Sequence, residues 1–291
     1  MGVNSIVFYK RFPDEESCYN YLEEIKWEEG YVCKKCGHTN YCSGRKPYSR
    51  RCTTCCKYDE SPTAGTMFDK CKFSLHLAFH IVFKLSTRKK GMSSPELSHE
   101  FDLRQMTCWE FKRKVQQAMR SSMRYPLTGT VHVDEFLIGE YEEGQTRRSS
   151  DSKKRLVVVA LEVLEKGGVG RAYAKVVEHA SGKKFKSFFD NHISPQARVV
   201  TDEWRGYLPL KKRHPFLEQK PSRKGRNFPE LHIHIMNIQG WLRGIHHHCS
   251  KEHLQGYLDE YRYRYNRRTQ METIFDNLVV RMMRYKSIQG L

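Results

Sequence analysis

An acid set inside an apolar β-run leaves this sequence few folds to choose from. Residues 129–139 read GTVHVDEFLIG: Val131, Val133, Phe136 and Ile138 are apolar and β-prone, a glycine closes each end, and Asp134 stands in the middle. A charge in a core strand is costly to bury unless a partner such as a metal ion offsets it. Further on, a second β-branched run, ARVVTDEWRGY, ends at Asp202. Either aspartate alone fits a strand-end turn cap. Two in matching contexts fit a site where two strands deliver oxygen ligands to divalent metal for phosphoryl transfer.

The charge balance narrows the partner. Lys and Arg number 51 against 33 Asp and Glu, a formal charge of +18 over 291 residues. Such an excess points to a polyanion, because neutralising phosphates releases counterions; ribosomal and membrane-surface proteins share that composition. No run reaches the roughly eighteen apolar residues of a membrane span. The longest, FSLHLAFHIVFKLS from Phe73, is too short and holds two histidines. Asn4, Lys10 and Arg11 interrupt any apolar signal region. The expectation is a cytoplasmic protein, at the cytosol or nucleoid, with reduced cysteines and no membrane partner.

The N-terminal third divides in two. Residues 12–27 have the pattern of an amphipathic helix, with acids at Asp14 to Glu16 and Cys18, Leu22 and Ile25 at helical spacing. Then come Cys33-x-x-Cys36 and Cys52-x-x-Cys55, whose four thiolates predict a tetrahedral structural Zn2+ site in a small three-stranded ribbon turned at Gly37, Gly44 and Pro47. A disulfide pairing is the alternative that a reducing compartment disfavours. Cys42 and Cys56 are bystanders, although Cys56 adjoins a ligand and could replace it. Residues 73–86 predict a core helix. Ser94-Pro95-Glu96 opens another that ends near Phe101, and a third starts near Arg104. The last two fit a helix-turn-helix, with Arg104, Gln105, Thr107, Lys112 and Arg113 facing a major groove; a helical connector is the plainer alternative.

Beyond Tyr125-Pro126 the pattern runs strand, strand, strand, helix, strand, helix. A polar loop over 140–154 precedes strands at RLVVVALEVL and GRAYAKVVEH, joined through Lys166-Gly-Gly. A helix through Phe185, Phe188 and Phe189 leads to the strand ending at Asp202. A basic loop over 211–226, with Arg223, Lys224 and Arg226 among its cations, suits phosphate contact. Tyr257, Tyr261 and Tyr265 make one helical stripe, read as a core face, with Arg262, Arg264, Arg267 and Arg268 as candidate backbone contacts. His246, His247, His248 and Cys249 are adjacent and cannot converge on one ion in a helix.

Together VHVDEF, VVTDEWRGY, the two CxxC knuckles and HHHCSKEHLQGYLDEYRYRYNRR resemble a bacterial insertion-sequence DDE transposase with an N-terminal zinc ribbon and a ribonuclease-H-like catalytic domain. The resemblance spans nearly the whole chain. It implies an α+β / α/β multidomain fold: an N-terminal helix (1–28), a zinc ribbon (29–70), a helix-turn-helix-like domain (71–126) and a catalytic domain (127–291) with a mixed sheet and flanking helices. Strands one and four would lie side by side. It further implies that Asp134, Asp202 and Asn237, 35 positions beyond Asp202, hold two Mg2+ ions (or Mn2+), with Arg243 as a nearby basic residue. Asn237 departs from a strict glutamate, and Glu230 or Glu252 are alternative carboxylates, with Glu135 and Glu203 beside the pair. The implied activity is cutting at terminal inverted repeats and joining the freed 3′-hydroxyl to target DNA, as a homodimer or higher oligomer on double-stranded DNA. A regulator that binds without cutting, or a structure-specific nuclease on the same fold, are the rivals.

Overall fold

A computed structural model of the chain describes residues 4–55, 58–139, 154–223, 225–246 and 249–285. The chain divides into two compact units, residues 1–119 with 270–291, and residues 120–269.

In the first unit α1 (Ser5–Arg11) starts at Asn4, whose side chain accepts the Val7 N–H at 2.9 Å. α2 (Glu15–Lys26) starts at Asp14, whose carboxylate accepts the Ser17 N–H at 2.8 Å. The helix expected over 12–27 is thus preceded by a second one. Pro13 enforces the break, because it has no N–H to donate and pushes Phe12 out of helical geometry. β1 (Tyr41–Ser43), β2 (Arg50–Cys52) and β3 (Asp59–Glu60) form the antiparallel three-stranded ribbon. α3 (Leu75–Thr87) buries Ala78, Phe79, Ile81, Val82 and Leu85. On it Phe8 stacks over Phe83 with centroids 4.3 Å apart, and Phe12 meets Phe79 edge-on at 5.1 Å; such pairs contribute about 0.5–1.5 kcal/mol each beyond area. α4 (Ser94–Phe101) is capped one residue earlier than expected, by Ser93, in a reciprocal box with Glu96. Asp102 ends it in the left-handed region at φ 49°, and α5 (Gln105–Ala118) follows, giving the expected helix-turn-helix connection.

The second unit holds a five-stranded mixed sheet. β4 (Thr130–Ile138), β5 (Arg155–Val163) and β6 (Val169–Val177) form an antiparallel meander. α6 (Gly182–His192), capped by Ser181, crosses over to β7 (Arg198–Thr201), which lies parallel to β4. A 3-10 helix, Arg205–Lys212, leads to β8 (Leu217–Gln219), parallel to β7. The order is β6-β5-β4-β7-β8, so the first and fourth strands are neighbours, as a ribonuclease-H-like sheet requires. β8 lies in the stretch read as basic loop; three residues are too few to carry a visible period. α7 (Pro229–Ile245) and α8 (Lys251–Tyr265) complete the unit.

Strand alternation splits the core. Val131, Val133, Val158, Ala160 and Val199 face α6, where Phe185, Phe188 and Phe189 are fully buried. Phe136, Val157, Val159, Leu161 and Val200 face the opposite way and pack with Leu231, Ile235, Ile238 and Leu242 of α7 and Leu254 and Leu258 of α8. The tyrosine stripe of α8 packs against this second layer, as its spacing predicts. The final helix, α9 (Ile274–Arg284), expected within a catalytic stretch ending at 291, belongs to the first unit. Its Phe275 meets Phe8 and Phe79, and Asp276 accepts from Arg11 at 2.7 Å and the Tyr21 hydroxyl at 2.6 Å.

Two buried histidines make the second unit acid-sensitive. His192 lies between Phe188 and Tyr173, and His234 lies against Tyr265. Burial brings each imidazole down to about 4, a phenylalanine carbonyl at His192 opposing the shift. The unfolded chain therefore binds more protons between about pH 6.5 and 4. Stability from both is complete above the unfolded value and is lost as pH falls through this window, by on the order of 3 kcal/mol each at the limit. A fall in thermal midpoint between pH 7 and 4.5, reduced in His192→Gln, is the expected result by calorimetry.

Candidate active site and metal centre

The four knuckle cysteines converge. Their sulfurs lie within 4.8 Å of one another, with Cys33 to Cys55 at 3.7 Å and Cys36 to Cys52 at 3.5 Å. Tetrahedral zinc with Zn–S bonds of about 2.3 Å has sulfur–sulfur edges of about 3.8 Å, so the geometry fits the ion. The Cys55 backbone N–H draws the Cys52 thiol below its ordinary range, while Cys36, against the His38 backbone N–H, is pushed up to about 12 by the neighbouring Cys52 sulfur. Cys42 is exposed on β1, outside the cluster, and Cys56 lies outside the described residues. Trp27 and Tyr31 pack over Cys33 and Cys52 as a small core of their own. Glu60, 1% exposed, anchors the ribbon through ion pairs with Lys26 at 2.9 Å and with Lys34.

The acid site follows from the β4–β7 ladder. Thr130, Val131 and His132 pair in parallel with Arg198, Val199 and Val200. The ladder ends there; continued two steps, the same register would bring Asp134 opposite Asp202, the first residue past β7, at the strand spacing of about 4.8 Å. Asp134 shares strand parity with Phe136 and so belongs to the face that α7 and α8 cover; Asp202 directly follows β7, two residues after Val200 of that same face. Asp202 Oδ1 accepts the Trp204 N–H at 3.1 Å, a turn that holds the carboxylate at the strand end. Glu135 points to the other face, where its Oε2 accepts from the hydroxyl of the fully buried Tyr207 at 2.6 Å. Burial first, then Glu135, Asp134 and Asp202, raise that phenol well above its ordinary value. Three carboxylates felt by one buried group are a concentration of negative charge that a divalent cation would offset, and hard oxygen donors suit Mg2+ or Mn2+. Among the described residues, the four cysteines are the one set of three or more ligand atoms already drawn within 4.8 Å.

α7 brings a residue that the sequence reading missed. His232 Nε2 lies 3.6 Å from Asp134 Oδ2, and Gln239, two turns on, donates from Nε2 to the Leu137 carbonyl at 3.5 Å. These two set the flank of α7 that meets β4. Asn237 is exposed and, at about 100° per residue, is turned about 140° from His232. Nothing in LHIHIMNIQG distinguishes the inward flank, since its apolar stripe fixes only which side is buried.

The proposed DNA contacts divide. Arg104 and Gln105 are exposed at the start of α5, Thr107 is half-buried, and Arg113 lies over Trp109 at 5.0 Å. Lys112 does not face outward: it is 3% exposed and its ammonium donates to the Met92 carbonyl. It falls on the same helical face as Cys108, Phe111 and Val115, and a long side chain there buries its stem and finds a carbonyl. Arg223, Arg226 and Arg243 are exposed; Lys224 lies outside the described residues. Arg262 and Arg264 are buried, paired with Asp259 at 3.5 Å and Glu260 at 2.6 Å, so they brace α8 rather than meet a ligand. Arg268 donates to the Val169 and Gly170 carbonyls. His246 stacks on Tyr257 at 3.6 Å, and His247 and His248 lie outside the described residues.

Two family models match the chain: a transposase zinc-ribbon domain over residues 13–58, and an ISXO2-like transposase domain over residues 126–266. The first contains the cysteine cluster and the second both aspartates. No curated protein matches. Among the described residues no helix is long and apolar enough to cross a membrane.

Proposed function

From a chain that carries both domains of an IS1595-family transposase, and so belongs with those DNA-binding proteins, we propose a specific chemistry: metal-assisted cleavage at the terminal inverted repeats of its own element, then joining of the freed 3′-hydroxyl to target DNA. The observation that supports this reading is the parallel β4–β7 register, which pairs His132 with Val200, each two residues before one of the aspartates. Asp134 and Asp202 hold the metal in this reading. When bound, divalent metal would activate the attacking oxygen and stabilise the leaving one in an in-line displacement, with no covalent enzyme intermediate. The protein's part is to fix the ions, to orient a phosphodiester over the carboxylates, and to hold DNA by its cations.

Asn237 enters as a third, uncharged ligand on its 35-residue spacing from Asp202. An amide brings no charge, and this one is exposed, so it is the weakest member of the set. Asn237→Ala is expected to lower cleavage by about tenfold, far less than either aspartate replacement. Arg104, Gln105 and Thr107 read bases in the major groove, while Arg223, Arg226 and Arg243 contact phosphates. Pairing two element ends requires at least a dimer, acting on double-stranded DNA in the cytosol or nucleoid.

The test incubates purified protein with Mg2+ and a labelled duplex carrying one element end, alongside a target plasmid. Strand-specific cleavage at the end and joined product support the proposal. Binding without nicking in Mg2+ or Mn2+ favours a regulator, and nicking without joining a nuclease.

A further inference from the structure

The metal reading above leaves His232 without a task. We propose that its imidazole is a nitrogen ligand of the ion held by Asp134, so that the site mixes carboxylate oxygen with one ring nitrogen. The inference rests on that reading and adds a donor to it.

Three observations carry it. His232 Nε2 stands 3.6 Å from Asp134 Oδ2. That is beyond hydrogen-bond range, yet close to the separation of two atoms ligating one ion: bonds of about 2.1 Å put neighbouring ligands about 3 to 3.5 Å apart. The same nitrogen is shielded from solvent and has no hydrogen-bond partner among the described residues. Ring nitrogens of His132, His214 and His234 share that lack, so what singles out His232 is that its shielded nitrogen also faces a carboxylate oxygen. Finally, the ring is held in place from behind. Gly225, at φ +86°, lies so close that a Cβ there would stand 2.9 Å from Cδ2 and 3.0 Å from Cγ and Nε2 of His232. Only glycine both adopts that conformation and leaves room for the ring. Phe228 and Leu231, both buried, fix the first turn of α7 on which His232 sits.

The other imidazole on this face of β4, His132, packs edge-on against Phe228 at 5.3 Å. It has no such approach to Asp134 among the contacts described. A nitrogen in the donor set favours Mn2+ and other transition metals over Mg2+, which prefers oxygen alone. The chain would therefore bind Mn2+ more tightly than an all-oxygen site does.

The experiment adds Mn2+ to the full-length, zinc-loaded protein and reads nitrogen hyperfine coupling by pulsed electron paramagnetic resonance, with affinity from the free-ion signal. A directly bound nitrogen is expected in the unsubstituted protein. It should vanish in His232→Gln, with Mn2+ affinity weakened by about tenfold or more, and persist in His132→Gln. Melting curves of both variants verify the fold. Mn2+ bound through Asp134 without nitrogen coupling, or coupling that survives His232→Gln, overturns this inference and leaves the metal reading standing. Mn2+ binding indifferent to Asp134→Ala overturns both.

Discussion

Asp134→Ala and Asp202→Ala are each expected to abolish strand cleavage, by at least about a thousandfold, while leaving end binding within about twofold. A thousandfold loss corresponds to about 4 kcal/mol of transition-state stabilisation. That is a reasonable share for a carboxylate that anchors metal in phosphoryl transfer, where positioning and charge neutralisation do most of the catalysis. The fold should survive. Asp134 keeps 18% of its side chain exposed, and removing one member of a carboxylate group relieves repulsion around Tyr207. A thermal midpoint equal to or above that of the unsubstituted protein is therefore expected for Asp134→Ala, and one lowered slightly for Asp202→Ala, which loses the Trp204 N–H bond. Gel assays on an end-containing duplex, with gel-shift binding in parallel, decide the matter. Cleavage above about a tenth of the normal rate in either variant would end the two-aspartate reading.

Removing zinc should have the second large effect, on structure rather than chemistry. The ribbon has three strands of two or three residues each and a core built from Trp27, Tyr31, Cys33 and Cys52. So small a core cannot offset the chain entropy of ordering it, whereas a structural zinc site supplies about 10–16 kcal/mol at neutral pH. Chelation, or Cys33→Ser, is expected to drop bound zinc from about one per chain to near zero. Backbone amides of the ribbon should then exchange with solvent on the scale of an unfolded segment. α6 and the large sheet, which form their own compact unit, should keep their protection. Full protection of the ribbon after chelation would refute the structural role. Mass-resolved hydrogen exchange reads both halves in one sample.

The parts of the fold that were legible share one property: each is written in local pattern. The CxxC pairs, the Gly-bounded run around Asp134, the Lys166-Gly-Gly turn and the phenylalanine-rich α6 all carry period or turn chemistry within a dozen residues. What was missed lacks local signal. β8 has three residues, and α1 hides behind Pro13. Lys112 reads as a surface cation, because the carbonyl it donates to belongs to Met92, 20 residues earlier and ahead of α4. Arg262 and Arg264 read as DNA contacts for the same reason: their acidic partners Asp259 and Glu260 are adjacent in sequence, but only the packed helix says that both pairs face inward.

The sequence alone determined the metal-binding ribbon, the alternation of strands and helices, and the two aspartates as the candidate centre, since spacing and hydrophobic period depend on neighbours along the chain. Tertiary structure decided the rest. It set which strands are adjacent, so that the strand leading to Asp202 runs parallel beside the one that carries Asp134. It gave the last helix to the first unit and brought His232 within 3.6 Å of Asp134. The physical reason is rotational: an amphipathic pattern specifies which side of a helix is buried, whereas the flank that meets a given strand depends on how that helix docks.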